Sequence, residues 1–210
     1  MTVDCRRTRV ASSYMSDVDL SWFYNLLGPD DQAQLLRNPY AALPSRLVER
    51  LSIGFNNGPG VFRYAGDGKV GSPLLSIKAA DNLDAIRLQL DEWWQRVSAD
   101  QQSYIVAHRD GELDGAYREV VQAASLDPIT HAPHGHLVVT VADSRTGRFR
   151  LPTMIRAYVG LKLLCERCGE KMGVKVDPRA PGAPDDVFKR CTNEDCADSR
   201  ISWQPIKMPT

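Results

Sequence analysis

Four of the five cysteines stand in two close pairs, Cys165-x2-Cys168 and Cys191-x4-Cys196, separated by 22 residues. A pair two residues apart can hold one edge of a metal ion through a tight turn, and Gly169, directly after the second thiol, permits the positive φ such a turn needs. Four thiolates suit tetrahedral zinc and leave no position open for water, so this spacing predicts a structural ion on Cys165, Cys168, Cys191 and Cys196. The site carries a formal charge of −2, which Arg167, Lys171, Lys189 and Arg190 offset. Disulfides or free thiols are the other reading of the pairs. Cys5 lies far from both pairs and reads as a spare thiol.

The spacer reads as a ribbon: "KMGVKV" a strand, "DPRAPGAPDD" a proline-rich tip, "VFKR" the returning strand, and "RISWQPI" a third. With Phe188 before it and Asn193 inside it, the second pair resembles that of the Ogr/Delta zinc-finger family of phage late-transcription activators, over residues 165–198. The resemblance implies zinc on the same four cysteines and a role in transcription through contacts to DNA and RNA polymerase. Topoisomerase-type zinc ribbons are similar too.

Other chemistry is thinly represented. His131, His134 and His136 form the one dense histidine group, in the loop "THAPHGH", where Asp127 or Asp143 could add an oxygen to a second metal site. A loop built on Pro and Gly holds ligands poorly, and the solvated reading is preferred. No Walker loop and no G-x-S-x-G elbow occurs, and no carboxylates are paired for acid–base work, so the chain is not expected to be an enzyme.

The formal net charge is zero over 210 residues, so the whole chain is no electrostatic trap for nucleic acid. Residues 162–207 hold nine Lys/Arg and eight Asp/Glu. From Ser144 to Leu164 there are basic residues only: Arg145, Arg148, Arg150, Arg156 and Lys162. On a strand, Arg148 and Arg150 share one face with Phe149 on the other. This segment is the candidate for contacts to nucleic acid or an acidic partner, set against an ordinary solvated face. The segment 103–121 has a small residue and a turn glycine at helix-turn-helix spacing (Ala107, Gly111). Its second helix offers Glu112, Asp114 and Glu119 against Arg118, so a packed helical hairpin is the better reading.

The elements that must position these groups divide the chain in sequence order. Residues 1–17 read as a disordered tail, with Met15 an alternative start. Residues 18–127 read as a mainly helical domain, 128–160 as a β segment packed on it, and 161–210 as the zinc ribbon, an α+β organisation. Leu83, Ile86, Leu90, Trp93 and Val97 fall at helical spacing after Asp81, a suitable N-cap. Ser98 and Gln101 have the form of a capping box, and Leu113, Tyr117, Val120 and Ala124 share a face of a third helix. Val61, Phe62 and Tyr64 are strand candidates. "MIRAYVGLKLL" fits strand or helix. Most aromatics belong in the core; Trp93 and Trp94 cannot share a narrow helix face, so one of them could lie partly exposed at a partner surface.

No apolar run is long enough to span a bilayer, and no secretory leader is apparent. The expected location is the cytoplasm, where reduced thiols bind metal. The function expected is that of a zinc-ribbon regulator of transcription, phage or mobile-element derived, contacting DNA or RNA polymerase. The alternative is a protein-binding adaptor that touches no nucleic acid.

Overall fold

A computed structural model describes residues 20–54, 62–64, 72–124, 140–141, 146–178 and 186–206. The tail at 1–17, the histidine group and Arg145 lie outside the described residues. The protein is α+β: helices enclose a core, and an antiparallel three-stranded sheet closes one side of it.

Three short helices come first, α1 (Ser21–Asn25), α2 (Pro29–Arg37) and α3 (Ser45–Gly54). Pro29 starts α2 where its missing N–H costs nothing, and Asp30 and Asp31 lie in the first turn, favoured by the helix dipole. Buried Gln32 donates to the carbonyls of Phe23 at 2.7 Å and Leu27 at 3.0 Å, satisfying acceptors that the short α1 leaves open. Phe62–Tyr64 (β1) pairs antiparallel with Pro73–Leu75 (β2).

The long helix α4 (Ile77–Arg96) begins before Asp81. Its N-cap is Ser76, whose hydroxyl accepts from the Ala79 amide at 3.3 Å, while Asp81 accepts from the Tyr40 hydroxyl at 2.7 Å. Buried Ala79 and Ala80 explain the earlier start, since they extend the apolar face one turn back from Leu83. The capping box of Ser98 and Gln101 is present and opens α5 (Ala99–Ala107). The third helix expected from Leu113 onward is shorter: Gly115–Tyr117 is a 3-10 turn and α6 covers Arg118–Gln122. Leu113 is withdrawn into a β-bridge with Phe149, its amide donating to the Phe149 carbonyl at 2.8 Å.

Thr140–Val141 (β3) and Phe149–Arg150 (β4) pair as strand, turn, strand. The rest of the expected β segment needs correcting, because Thr153–Leu161 is a helix, α7. Met154, Ile155, Ala157, Tyr158 and Val159 are all buried and only Thr153, Arg156 and Leu161 are half-buried, so the helix packs on most of its circumference and its polar side is narrow. Tyr158 packs against both Trp93 and Trp94, with ring centroids 6.3 and 6.1 Å away, while the two indoles touch each other at 5.4 Å. Both tryptophans are buried, so neither is left at the surface for a partner.

The ribbon consists of β5 (Met172–Asp177), β6 (Asp186–Cys191) and β7 (Gln204–Pro205), antiparallel with β6 in the middle. Alternation sends Val174, Val187 and Ile206 inward, where they join the core of the helical body. Gly173, Lys175, Phe188, Arg190 and Trp203 occupy the outer side. The expected boundary at 161 is therefore a boundary in sequence pattern, not in the core. Among the described residues no helix is long and apolar enough to cross a membrane.

Candidate metal centre

Helix α7 delivers the first ligand. Beyond its end at Leu161 the chain passes through Leu163 and Leu164, both buried, straight into Cys165. The chain then turns back on itself: the Gly169 amide donates to the Cys165 carbonyl and the Cys165 amide to the Glu170 carbonyl, each at 2.8 Å. Gly169 takes φ +77°, the left-handed conformation expected of it. The second pair closes a similar turn. The Cys196 amide donates to Asn193 O at 3.0 Å, and the Asn193 side chain accepts from the Asp195 amide at 3.0 Å. Asn193 thus shapes the turn that carries the fourth ligand.

The register Met172↔Cys191 sets the third ligand beside the start of β5, and the four Sγ atoms all lie within 4.8 Å of one another. Cys165 and Cys196 sulfurs are 3.9 Å apart, Cys168 and Cys191 sulfurs 3.6 Å. A disulfide needs about 2.05 Å, so the four are free thiols. A tetrahedron with metal–sulfur bonds of about 2.3 Å has edges of about 3.8 Å. The donor set therefore fits a tetrahedral, thiolate-loving ion. Three of the four are buried, which leaves Cys168 the most accessible.

The environment divides the thiols. The backbone N–H of Glu170 points at Cys168 and pulls its thiol down to about 7, whereas burial pushes Cys191 up to about 12. A metal held there would supply the positive charge that lets all four ionise together.

Positive side chains surround the centre, but not in the way the sequence suggests. Arg167 donates through Nε to Asp198 at 3.0 Å, and the other oxygen of Asp198 accepts from Cys165 Sγ at 3.7 Å. Lys171 pairs with Asp30 of α2 at 3.1 Å. The cation set against the knuckle itself is Arg37, at the end of α2. Its Nη2 donates to the Glu166 carbonyl at 2.6 Å, and its Nη1 fills the space where a side chain at Gly169 would start. A cleft of about 450 Å³ opens beside this clamp, lined by Arg37, Leu43, Leu47, Cys168 and Glu170 among others.

A second brace lies at the other end of α2. Arg109, almost wholly buried, donates to the Arg156 carbonyl at 2.9 Å and to Asp30 at 2.8 Å. Asp30 thus joins α5, α2 and the ribbon through Arg109 and Lys171. No local signal marks Arg37, Asp30 or Arg109, because each partner is remote in sequence.

The basic segment divides. Arg148 and Arg150 are exposed and flank buried Phe149, the alternation expected of them. Arg156 is half-buried on α7, with its Nε enclosed and unpartnered among the described residues. Lys162 binds Asp91 at 2.7 Å and lies over the Tyr158 ring at 4.6 Å. Two of the described candidates face solvent, and two are part of the packing. Ala107 and Gly111 end α5 in a turn, with Gly111 N bonded to His108 O at 3.0 Å, before a 3-10 turn rather than a recognition helix. No protein family, curated protein or solved structure matches the chain.

Proposed function

We propose that the protein is a zinc-ribbon regulator that contacts nucleic acid or RNA polymerase, in the manner the Ogr/Delta resemblance implies, and that it works in the reducing cytoplasm. The observation that carries the reading is the sulfur tetrahedron, with edges of 3.6 and 3.9 Å, built into a three-stranded ribbon. Zinc fits such a set best, having no redox chemistry to damage its thiolates and no geometric demand beyond the tetrahedron. Cys165, Cys168, Cys191 and Cys196 would hold it, and the ion would supply folding energy rather than a reactive water. Arg148 and Arg150 are the exposed members of the basic segment and supply the phosphate contacts in this reading.

Two measurements on purified protein test it: metal content, then binding to random nucleic acid across a salt series. One zinc per chain and binding that falls steeply with salt is the expected result. Zinc without any salt-sensitive binding would sink the nucleic-acid part.

One observation favours a protein partner instead. Ile77 and Leu88 stand exposed on the outer side of α4, with Tyr40 exposed beside Asp81. Residues 77, 81, 84 and 88 follow helical spacing, so this is a single stripe that an adaptor could use. Binding through it would change little with salt.

A further inference from the structure

The outer side of the ribbon sheet carries an aromatic platform. In register with the outward residues of β5 and β6, Trp203 lies just ahead of β7, opposite Arg190. Its ring extends across β6 onto β5: a Cβ added at Gly173 would stand 3.5 Å from the ring carbon Cη2. Glycine at 173 keeps that face flat enough for the indole to lie along it. Arg190 places its guanidinium 5.3 Å from the ring centroid. Phe188, half-exposed, continues the surface on the same side.

Two features make this more than a solvated strand face. Trp22, Trp93 and Trp94 are 2, 2 and 5% exposed, whereas Trp203 is 37% exposed. Burial of indole is thus the rule in this chain, and Trp203 departs from it. Arg190, moreover, is ion-paired to no carboxylate among the described residues, so its charge remains open to a ligand. On the same side Lys175 neutralises Asp177 at 2.9 Å, at the far end of the hairpin. Asp186 is opposite Asp177, again at that far end.

We infer that the Trp203–Arg190 face of the ribbon is a stacking site for single-stranded nucleic acid. An unpaired base offers a π face to the indole and carries a phosphate for the guanidinium, so it uses both groups at once. A duplex hides its base faces in the stack and leaves the indole without a partner. A proline-rich peptide would use the indole and gain nothing from the arginine. The inference rests on the nucleic-acid reading above and gives it a ligand class and a position distinct from Arg148 and Arg150.

The test uses the full zinc-loaded chain and a labelled oligothymidylate of about 12 nucleotides. Binding is followed by anisotropy and by quenching of tryptophan emission. Because three indoles are buried, quenching reports on Trp203. The expected result is binding with quenching, weakened at least about fivefold in Trp203→Ala and largely kept in Trp203→Phe, which preserves an aromatic face. Arg190→Ala should weaken binding and lower the salt slope by about 0.7, the value for one phosphate on a single strand. Zinc content and urea unfolding establish that each variant is folded, and quenching of the unmutated protein stands without any variant.

Binding that ignores Trp203→Ala, or that prefers duplex of the same length, overturns the stacking site and leaves the nucleic-acid reading standing. Absence of binding to either form overturns both. Quenching by a proline-rich peptide but not by oligothymidylate overturns the inference in favour of a peptide groove.

Discussion

The guanidinium of Arg109 occupies the place where Gly160 would carry its side chain. A Cβ built at Gly160 would lie 2.5 Å from Nη2 and 2.8 Å from Cζ. From there the arginine reaches the Arg156 carbonyl and Asp30, so a missing methyl on α7 lets α5 grip both α7 and α2.

Gly160→Ala is accordingly an overpacking change in a helix whose own propensity it improves. The helix gain of about 1 kcal/mol opposes a steric cost of about 1–3 kcal/mol, with the buried bonds of Arg109 at risk as well. Net destabilisation is the expected result in urea unfolding. An increase in midpoint would show that Arg109 moves aside freely.

Gly169→Ala should damage the metal centre more than the body. The left-handed backbone costs an alanine about 1–2 kcal/mol, and its Cβ would meet Arg37 Nη1 at 2.5 Å. Competition with a chromophoric chelator should show zinc held about tenfold more weakly. Gly169→Ala made in an Arg37→Ala background separates the two causes, since the clash is then gone and any loss beyond that of Arg37→Ala alone is the backbone cost.

Removal of the ion should be felt throughout the fold. Val187, Val174 and Ile206 of the ribbon belong to the core that the helices form. Chelation is expected to lower the melting temperature of the whole chain and to broaden side-chain signals of α7, not only those of the ribbon. Cobalt in place of zinc should give the intense visible bands of tetrahedral thiolate coordination. Cys191→Ser should abolish those bands, and an octahedral spectrum would exclude the four-sulfur site.

Acid should weaken the protein through Asp91. Burial opposes ionisation there, but hydrogen bonds from Lys162 and Tyr158 and the charges of Lys162 and Arg87 outweigh it and hold the carboxyl below its ordinary range. A depressed folded pKa stabilises wherever the unfolded group is already ionised, above about pH 4–5. That contribution is lost as pH falls through the lowered value. Unfolding free energy measured from pH 6 to pH 3 should therefore decline less steeply in Asp91→Asn. An unchanged slope would assign the acid limb to other carboxylates, Asp30 first, whose own value Arg109 and Lys171 depress against the effect of burial.

How far the sequence reveals all this depends on how local each device is. The cysteine turns and the Ser98–Gln101 box are closed within six residues, so spacing alone identifies them. The ribbon strands follow for the same reason, because β5, tip and β6 form one hairpin. Helix α7 stays ambiguous because its polar side is reduced to Thr153 and Arg156, and a short apolar run with so little polar contrast fits strand or helix. Asp81 fits the spacing from Leu83 onward, but the cap is Ser76 because the core also takes in Ala79 and Ala80, a choice only the folded chain makes. Adjacent Trp93 and Trp94 suggest that one is partly exposed, yet a single tyrosine from α7 packs against both and both are buried. The clamps of Arg37 on Glu166 and Arg109 on Asp30 span 129 and 79 positions, a choice of partner that only the folded chain makes.

Cys165 follows helix α7 after three residues, and that short tether gives the cysteine centre a reach beyond its own ligands. A helix from the middle of the core leads to the four thiols, so a centre that opened without its metal would expose interior as well as ribbon. Such states are what cellular proteases act on. The amount of folded protein would then follow the supply of whatever metal the four thiols take up.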